Sequence, residues 1–472
     1  MNTSHGTVGG TDRLDGLEAL RTAVEGPVLT ADDPGYQAEC IGHNVLRAVR
    51  PTVVVGAAVP ADVVKAVRFA RAYGMPVAVR NAGHQVSLPR ESGDWLLVTT
   101  GRMDEIRVDV RAGTATVGAG ARWRQVVQET TKYGLAPLSG SAPNVGVIGY
   151  TLGGGIGPLL SRRHGYAADQ VCWMDVVTAD GALLRVTPDT DPELFWALLG
   201  CKGNFGIVVA MEFALFPVTR FYGGGLYFRG EDTERVLSVW QPWLETLDED
   251  TTTSVAVLRL PDVTALPDVL RGAFVVHLRV GHLGPAEEGE RLVAPLRAAA
   301  VPLLDTVAER PYDQVGEIHQ DPVRPAPVWE RSIGLREFSV ATAETFTSLT
   351  SADSGCPLTL VEVRALGGTL DREPAAPNSV PSRGLPFVTF AVGVAEAHDS
   401  ARVTRCLDAY AEGMTPWADR RNIMNFLSPE AASTPAELHA LYGSYRYERL
   451  VAVKRRLDPD NLFRINHNIV PA

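Results

Sequence analysis

Several hallmarks of large functional classes are missing from this 472-residue chain. It has no CxxC pair and no histidine cluster. Its five cysteines, Cys40, Cys172, Cys201, Cys356 and Cys406, are odd in number and widely spaced, which gives neither a disulfide framework nor a zinc site. They read as reduced, mostly buried thiols, and no metal is expected. No run of about 18 apolar residues occurs, so no membrane-spanning helix is expected. Positive charge is short as well: 44 Lys and Arg against 55 Asp and Glu leave −11. With no basic tract, that balance argues against nucleic acid. Met1 to Arg13 is polar and has no apolar signal core. A soluble, cytoplasmic protein without membrane or nucleic-acid partners is the expectation, its oligomeric state unknown. No Walker A pattern is present, and Pro158 stands after Gly153–Gly157 where a dinucleotide fingerprint needs its third glycine, which disfavours a Rossmann domain.

Small residues, by contrast, crowd three turns: Val79-Arg80-Asn81-Ala82-Gly83-His84, Leu138 to Gly146, and Leu152 to Gly157. Backbone that presses against a flat, phosphorylated ligand favours glycine, which lacks a Cβ and enters φ > 0 freely. Around these turns, Thr52–Gly56 and Met75–Arg80 read as strands joined by a helix opening at Pro60, the local sign of a parallel pair. Trp95–Thr99, Ile106–Val110 and Thr114–Gly118 read as short strands and Trp123–Tyr133 as a helix. Ala179-Asp180-Gly181 marks a hairpin, followed by a helix over Glu193–Leu199 and a strand over Ile207–Leu215. Beyond Pro217 the texture shifts to longer alternating strands, Ala273–Val280, Leu358–Leu366 and Phe387–Val394. Helices are expected near Glu234–Leu247 and Ala401–Gly413. At 472 residues the chain exceeds one core, and a second α+β domain follows. The expected organisation is an N-terminal segment (1–36), a first domain (37–217), a second (218–423) and a return to the first (424–472).

In order and spacing these motifs resemble the berberine-bridge-enzyme-like flavin oxidases, whose FAD domain is of the vanillyl-alcohol oxidase and p-cresol methylhydroxylase (PCMH) type. The resemblance runs from about Gln37 to Pro471. It takes in the Arg80–His84 loop, Ser141-Ala142-Pro143-Asn144-Val145-Gly146-Val147, Asp191–Leu198, Gly203-Asn204-Phe205-Gly206-Ile207-Val208, Tyr447–Leu450 and Asp458–Ile469. It implies an α+β, two-domain architecture: a PCMH-type FAD-binding domain plus an α+β substrate domain with an antiparallel sheet. It also implies FAD held by Arg80, Asn81, Ala82, Gly83, His84, Gly140, Ser141, Ala142, Val145, Gly146, Val147, Gly149, Gly154, Gly155, Gly157, Asn204, Gly206, Ile207, Val208, Asn466 and Asn468. His84 occupies the usual covalent attachment point, an 8α-histidyl link. Ala142 stands where many relatives carry the cysteine of a second link, so no cysteinyl bond is expected. Val147 falls in the stretch that faces oxygen in relatives.

The implied activity is oxidation of a small organic substrate, with tailoring of a secondary metabolite as the family's habitual setting, O2 taking the electrons and H2O2 being released. A flavin monooxygenase, a dehydrogenase using another acceptor, and a flavin-bearing binding protein are the alternatives. The last stays open because relatives commonly place a tyrosine base where this chain has Ile423. Strand alternation puts Glu362 and Arg364 on one face with leucines; they are a candidate base and its charge partner, or a structural ion pair. Tyr150 is a second candidate for proton transfer. His319 and Tyr312, in a Pro-rich loop, carry no assignment.

Overall fold

The computed structural model describes residues 10–47, 49–85 and 92–472. The seventeen strands found among them form three sheets that follow one another along the chain.

The first sheet holds β1 (Val28–Leu29), β2 (Arg50–Gly56), β3 (Val77–Arg80) and β4 (Ser92–Thr99), in the order β1-β2-β4-β3. The expected parallel unit is present with one correction. β4 lies between β2 and β3 and pairs with both in parallel, so the two strands flanking the helix never touch. That helix, Pro60–Ala72, begins with proline, whose missing N–H costs nothing at a helix start. Val63, Ala66, Val67 and Ala70 recur on its buried face.

The second sheet, in the order β5-β6-β9-β7-β8, is antiparallel: β5 (Ile106–Asp109), β6 (Thr114–Gly118), β7 (Val171–Val177), β8 (Leu183–Val186) and β9 (Ile207–Ala214). The expected hairpin joins β7 to β8, with Gly181 at φ 74. Asp191 caps the helix Pro192–Cys201 by accepting from Leu194 N at 3.0 Å.

The third sheet is also antiparallel. It comprises β10 (Arg220–Arg229), β11 (Thr251–Arg259), β12 (Phe274–His282), β13 (Leu304–Asp305), β14 (Ala308–Pro311), β15 (Val328–Leu335), β16 (Leu360–Ala365) and β17 (Phe387–Val394), with β11, β12 and β16 near its centre. Period-2 alternation gives it two chemically distinct faces. Val276, Leu278 and Val280 of β12 and Val361 and Val363 of β16 point into a core shared with the helices Thr233–Trp243, Ala286–Arg297, Val340–Thr350 and Ser400–Met414. His277, Arg279, Glu362 and Arg364 alternate with them and point the other way. The architecture is therefore a two-part α+β fold whose second sheet-and-helix layer turns a charged inner face toward the first part.

The C-terminal stretch packs back onto the first part. Leu450, Val453, Leu462, Phe463 and Ile469 share its core, and Val77 N of β3 donates to Leu462 O at 3.0 Å. At the seam the buried Lys454 ammonium donates to Asn204 O (2.7 Å), Phe463 O (3.0 Å) and Asp458 Oδ2 (2.7 Å). Two of the widely spaced cysteines also meet: Cys356 and Cys406 bring their sulfurs to 2.8 Å. Both remain free thiols.

Candidate active site

β3 delivers Arg80 to the head of the first small-residue turn. Its guanidinium reaches back to the carbonyls of Glu39 and Cys40, the latter at 2.8 Å. Arg80 thus anchors the loop through these carbonyls. The next residues zip against 42–44 through His43 N to Ala82 O (2.9 Å) and Asn44 N to Gly83 O (3.3 Å). This contact is what requires glycine at position 83. Its φ is +70, and a Cβ would stand 2.8 Å from Gly42 Cα.

The zipper stacks His84 on His43, with ring centroids 3.8 Å apart and planes inclined by 14°. His84 Nε2 is buried without a partner. Burial, followed by the neighbouring His43 and Arg122, pushes its pKa down to about 3, so the imidazole is neutral and its lone pair available. His43 belongs to no recognised motif. The dipeptide Gly42-His43, repeated as Gly83-His84, is the sequence signal that could have flagged it.

In the second loop Gly146 is pressed by the Asn81 amide, 2.7 Å from where a Cβ would stand, and Asn81 Oδ1 has no partner. Ser141, Ala142 and Val145 are half-buried, and Gly149 faces open space. Val147, in contrast, is 0% exposed within the core. Its side chain therefore packs into the core behind the loop.

Other glycines are also explained by protein neighbours. Cβ atoms at Gly140 and Gly155 would run into the two edges of the Tyr150 ring, at 2.9 and 2.4 Å. At Gly157 a Cβ would meet Ser139 O (2.6 Å), and at Gly206 Val176 and Val177 (2.7 Å). Gly154, at φ +101, packs on Tyr166 and Val380. Ile207 and Val208 point into the core. Asn204 spends its amide on Cys201 O (2.9 Å), His467 O (3.0 Å) and Ile469 N (2.9 Å). The side-chain positions of Gly140, Gly154, Gly155, Gly157, Gly206, Asn204, Ile207 and Val208 are therefore closed off by protein neighbours, and any contact they make with a ligand runs through the backbone.

Asn466 and Asn468 keep unpartnered carbonyl oxygens, and His467 keeps an unpartnered Nε2. Burial, with nearby Lys202, holds the His467 pKa down at about 4. Lys202, in the left-handed region at φ 54, donates to Gln85. Gln85 in turn donates to Met424 O (2.6 Å) and Leu427 O (2.9 Å), bridging the first loop and the C-terminal return. Burial pushes the Lys202 ammonium down to about 7. Buried polar groups are normally satisfied. The unpaired atoms of Asn81, His84, Asn425, Asn466, His467 and Asn468, gathered on these facing loops, therefore fit a polar cofactor that completes them.

The inner face of the third sheet supplies the other wall. Glu362, 1% exposed, contacts Arg279 Nη1 at 2.5 Å and Arg364 Nε at 2.9 Å. Although burial raises its pKa, Arg364 and then Arg279 draw it below the usual carboxylate value. Arg279 Nε also donates to His277 Nδ1 at 3.1 Å, and His277 stacks on Tyr227 with centroids 3.9 Å apart. His319 Nδ1 lies 3.6 Å from Glu362 Oε1, beyond hydrogen-bond reach, and has no partner. Burial and the two arginines keep that ring neutral. The Tyr150 hydroxyl is buried and unpartnered as well. Burial raises its pKa far above 10 against the pull of Arg364, so it is a proton donor rather than a ready base. Tyr312 donates to Pro137 O at 2.5 Å and is structural. Ile423 is buried in the core.

A narrow cavity between the Ile156–Pro158 turn and this face is lined by Arg279, His319, Arg364, Ser254 and Leu366, among others. A wider groove between the helix Gly10–Ala23 and β2 includes none of the expected site residues. Among the described residues no helix is long and apolar enough to cross a membrane, and no group of side chains could hold a metal ion.

Residues 51–187 match the FAD binding domain family, and residues 429–470 match the family described as berberine and berberine like. The chain is 29% identical over 462 residues to (R)-6-hydroxynicotine oxidase of Paenarthrobacter nicotinovorans, covering 96% of this chain and 98% of that protein. In fold it is similar to 6-hydroxy-D-nicotine oxidase of Arthrobacter nicotinovorans, with a TM-score of 0.80, 24% identity, and coverage of 95% of this chain and 98% of that one. It is similar too to Phl p 4, a grass pollen allergen with glucose dehydrogenase activity, with a TM-score of 0.82, 20% identity, and coverage of 97% and 100%.

Proposed function

Because the chain is an FAD-linked oxidoreductase of the berberine-bridge-enzyme-like type, built on the PCMH-type FAD-binding fold, we propose that it is an oxidase. It takes hydride from a small organic substrate, carries its flavin on His84 through a single covalent bond, and passes the electrons to O2 with release of H2O2. Bound FAD supplies the hydride acceptor, and the protein positions and tunes it.

The observation that carries this proposal is the His84 ring. It is neutral, buried, fixed by its stack on His43 and left with an unpartnered Nε2, which is the state a nucleophilic imidazole needs. Ala142 offers no second nucleophile, so the attachment is single. Across the cavity, neutral His319 accepts the substrate proton, and Glu362, close to its Nδ1, stabilises the charge that forms. Tyr150 holds a substrate oxygen by donating its hydroxyl. Arg364 and Glu362 set the field rather than move the proton. A base at His319 answers the loss of a tyrosine at Ile423, so an oxidising enzyme is favoured over a binding protein.

For the acceptor, the half-buried Val145 borders the cofactor loop two residues before the buried Val147. Wild-type Phl p 4 is a glucose dehydrogenase and its isoleucine-to-valine variant a glucose oxidase. A short branched residue at Val145 fits the oxidase side of that contrast.

The test is direct. Acid-precipitated protein stays yellow, a substrate bleaches the flavin anaerobically, and aerobic turnover yields H2O2 in proportion to product. Colour released into the acid supernatant would refute the covalent link, and reoxidation only by an artificial dye would replace the oxidase with a dehydrogenase.

A further inference from the structure

The cavity in front of the third sheet carries more positive charge than the protein neutralises. Among the described residues three arginines line it, Arg162, Arg279 and Arg364, and no acidic side chain does. Arg162 is spent on backbone, donating to Leu366 O and to Asp248 O at 3.1 Å. Arg279 is spent on Glu362 and His277. Arg364 differs from both. Its Nε faces Glu362 Oε2 at 2.9 Å, its plane lies over Phe426 at 5.2 Å, and among the described residues its terminal nitrogens find no hydrogen-bond acceptor.

The ring nitrogens nearby belong to neutral histidines, His277 and His319, and the remaining polar neighbours, Ser254, Thr252 and Tyr150, are uncharged. Among the described residues Glu362 is the one carboxylate in contact with the Arg279–Arg364 pair, so two cations face one anion and one positive charge is left over. The surplus sits on Arg364, whose side chain is 12% exposed against 2% for Arg279. A buried charge without a partner is expensive, and a guanidinium presents a planar fork matched to a carboxylate. Ser161 and Thr253 add two more uncharged hydroxyls, and the side chains of Ile156, Pro158, Ile318, Leu366 and Leu370 make the apolar part of the lining.

We propose that the substrate is a small organic acid: an apolar body lies against these residues, and a carboxylate docks on the free fork of Arg364. This rests on the assignment of the cavity as the substrate site of a flavin enzyme.

The experiment titrates the flavin-loaded protein with benzoate and, separately, with its uncharged analogue benzamide, reading the visible flavin absorbance. Benzoate is expected to perturb the spectrum saturably and benzamide to bind about ten- to a hundredfold more weakly, the range lost with one charge-assisted contact. Arg364→Met is expected to remain yellow and to lose benzoate affinity by a similar factor. Arg364→Lys, which keeps the charge without the fork, falls between. Equal binding of benzoate and benzamide, or unchanged benzoate binding by Arg364→Met, overturns the proposal. If Arg364→Met does not accumulate, the wild-type comparison of the two ligands still decides. Protein purified without any flavin would sink the underlying assignment. A flavin-loaded protein indifferent to benzoate would sink the organic-acid proposal alone.

Discussion

Replacing Glu362 by glutamine separates the two roles open to this carboxylate, base and structural ion. If Glu362 holds Arg279 and Arg364 in place, Glu362→Gln removes the only carboxylate among the described residues that touches either guanidinium. Arg279, 2% exposed, then faces only a neutral amide oxygen and the neutral His277 nitrogen, with no anion beside it. Stranding a buried charge in this way costs about 3–5 kcal/mol. Arg364→Met should be far milder, because Glu362 keeps Arg279 at 2.5 Å; a loss of about 1 kcal/mol or less is expected. The ordering is the test, since both substitutions touch the same ion pair and only one orphans a buried ion. Denaturant unfolding of the flavin-loaded proteins measures it, alongside the rate of anaerobic flavin reduction across pH. A catalytic base would behave otherwise: Glu362→Gln would keep wild-type stability and lose about 10²–10⁴ in reduction rate. That result would refute the structural assignment and return the proton to Glu362.

His84→Ala should fold with FAD bound only reversibly, so that acid precipitation leaves a colourless pellet and a yellow supernatant. Ala142→Cys, on the half-buried second loop, should add a second flavin–peptide link, seen by peptide mapping as one flavin joining the His84 peptide to the peptide that carries the new thiol. Val145→Leu should slow reoxidation by O2 in stopped flow far more than substrate-driven reduction, whereas Val147→Leu, inside a core without spare volume, should cost stability by overpacking, about 1–3 kcal/mol. His467 is held neutral with a pKa of about 4 against 6.5 for the free side chain, so below pH 6.5 the unfolded chain binds a proton that the folded one refuses. Its stabilising contribution is complete above pH 6.5 and is lost as pH falls toward 4, reaching about 2 kcal/mol lost at pH 5. His467→Gln should flatten that acid limb of the unfolding free energy.

The strands of the third sheet were legible because alternation survives folding unchanged. The pattern that sets Val361 and Val363 against Glu362 and Arg364 is the pattern of the sheet's two faces. The small-residue turns were legible as turns, but what each glycine accommodates was not. Gly140 and Gly155 make room for Tyr150, and Gly83 for Gly42, contacts that link distant stretches of chain and leave no local trace. Asn204 reads as a ligand contact because it stands beside flexible residues, and only the fold shows its amide divided between Cys201 O and the C-terminal tail. His319 stayed unassigned for the same reason: its meaning comes from Glu362 and Arg364, which only the fold brings to it. The insertion of β4 between β2 and β3 was hidden because a helix between two strands implies their direction, not their adjacency.

The clamp formed by Lys454, Asp458 and Asn204 has a consequence for biogenesis. The His84 loop and both sheets of the first part leave the ribosome long before Asn466, His467 and Asn468 do. Until then Asn204 keeps only its contact to Cys201 O, and the cradle lacks one side. Closure of the cradle is therefore tied to synthesis of the C-terminal return, and a ribosome stalled before residue 454 would present the first part with that side open.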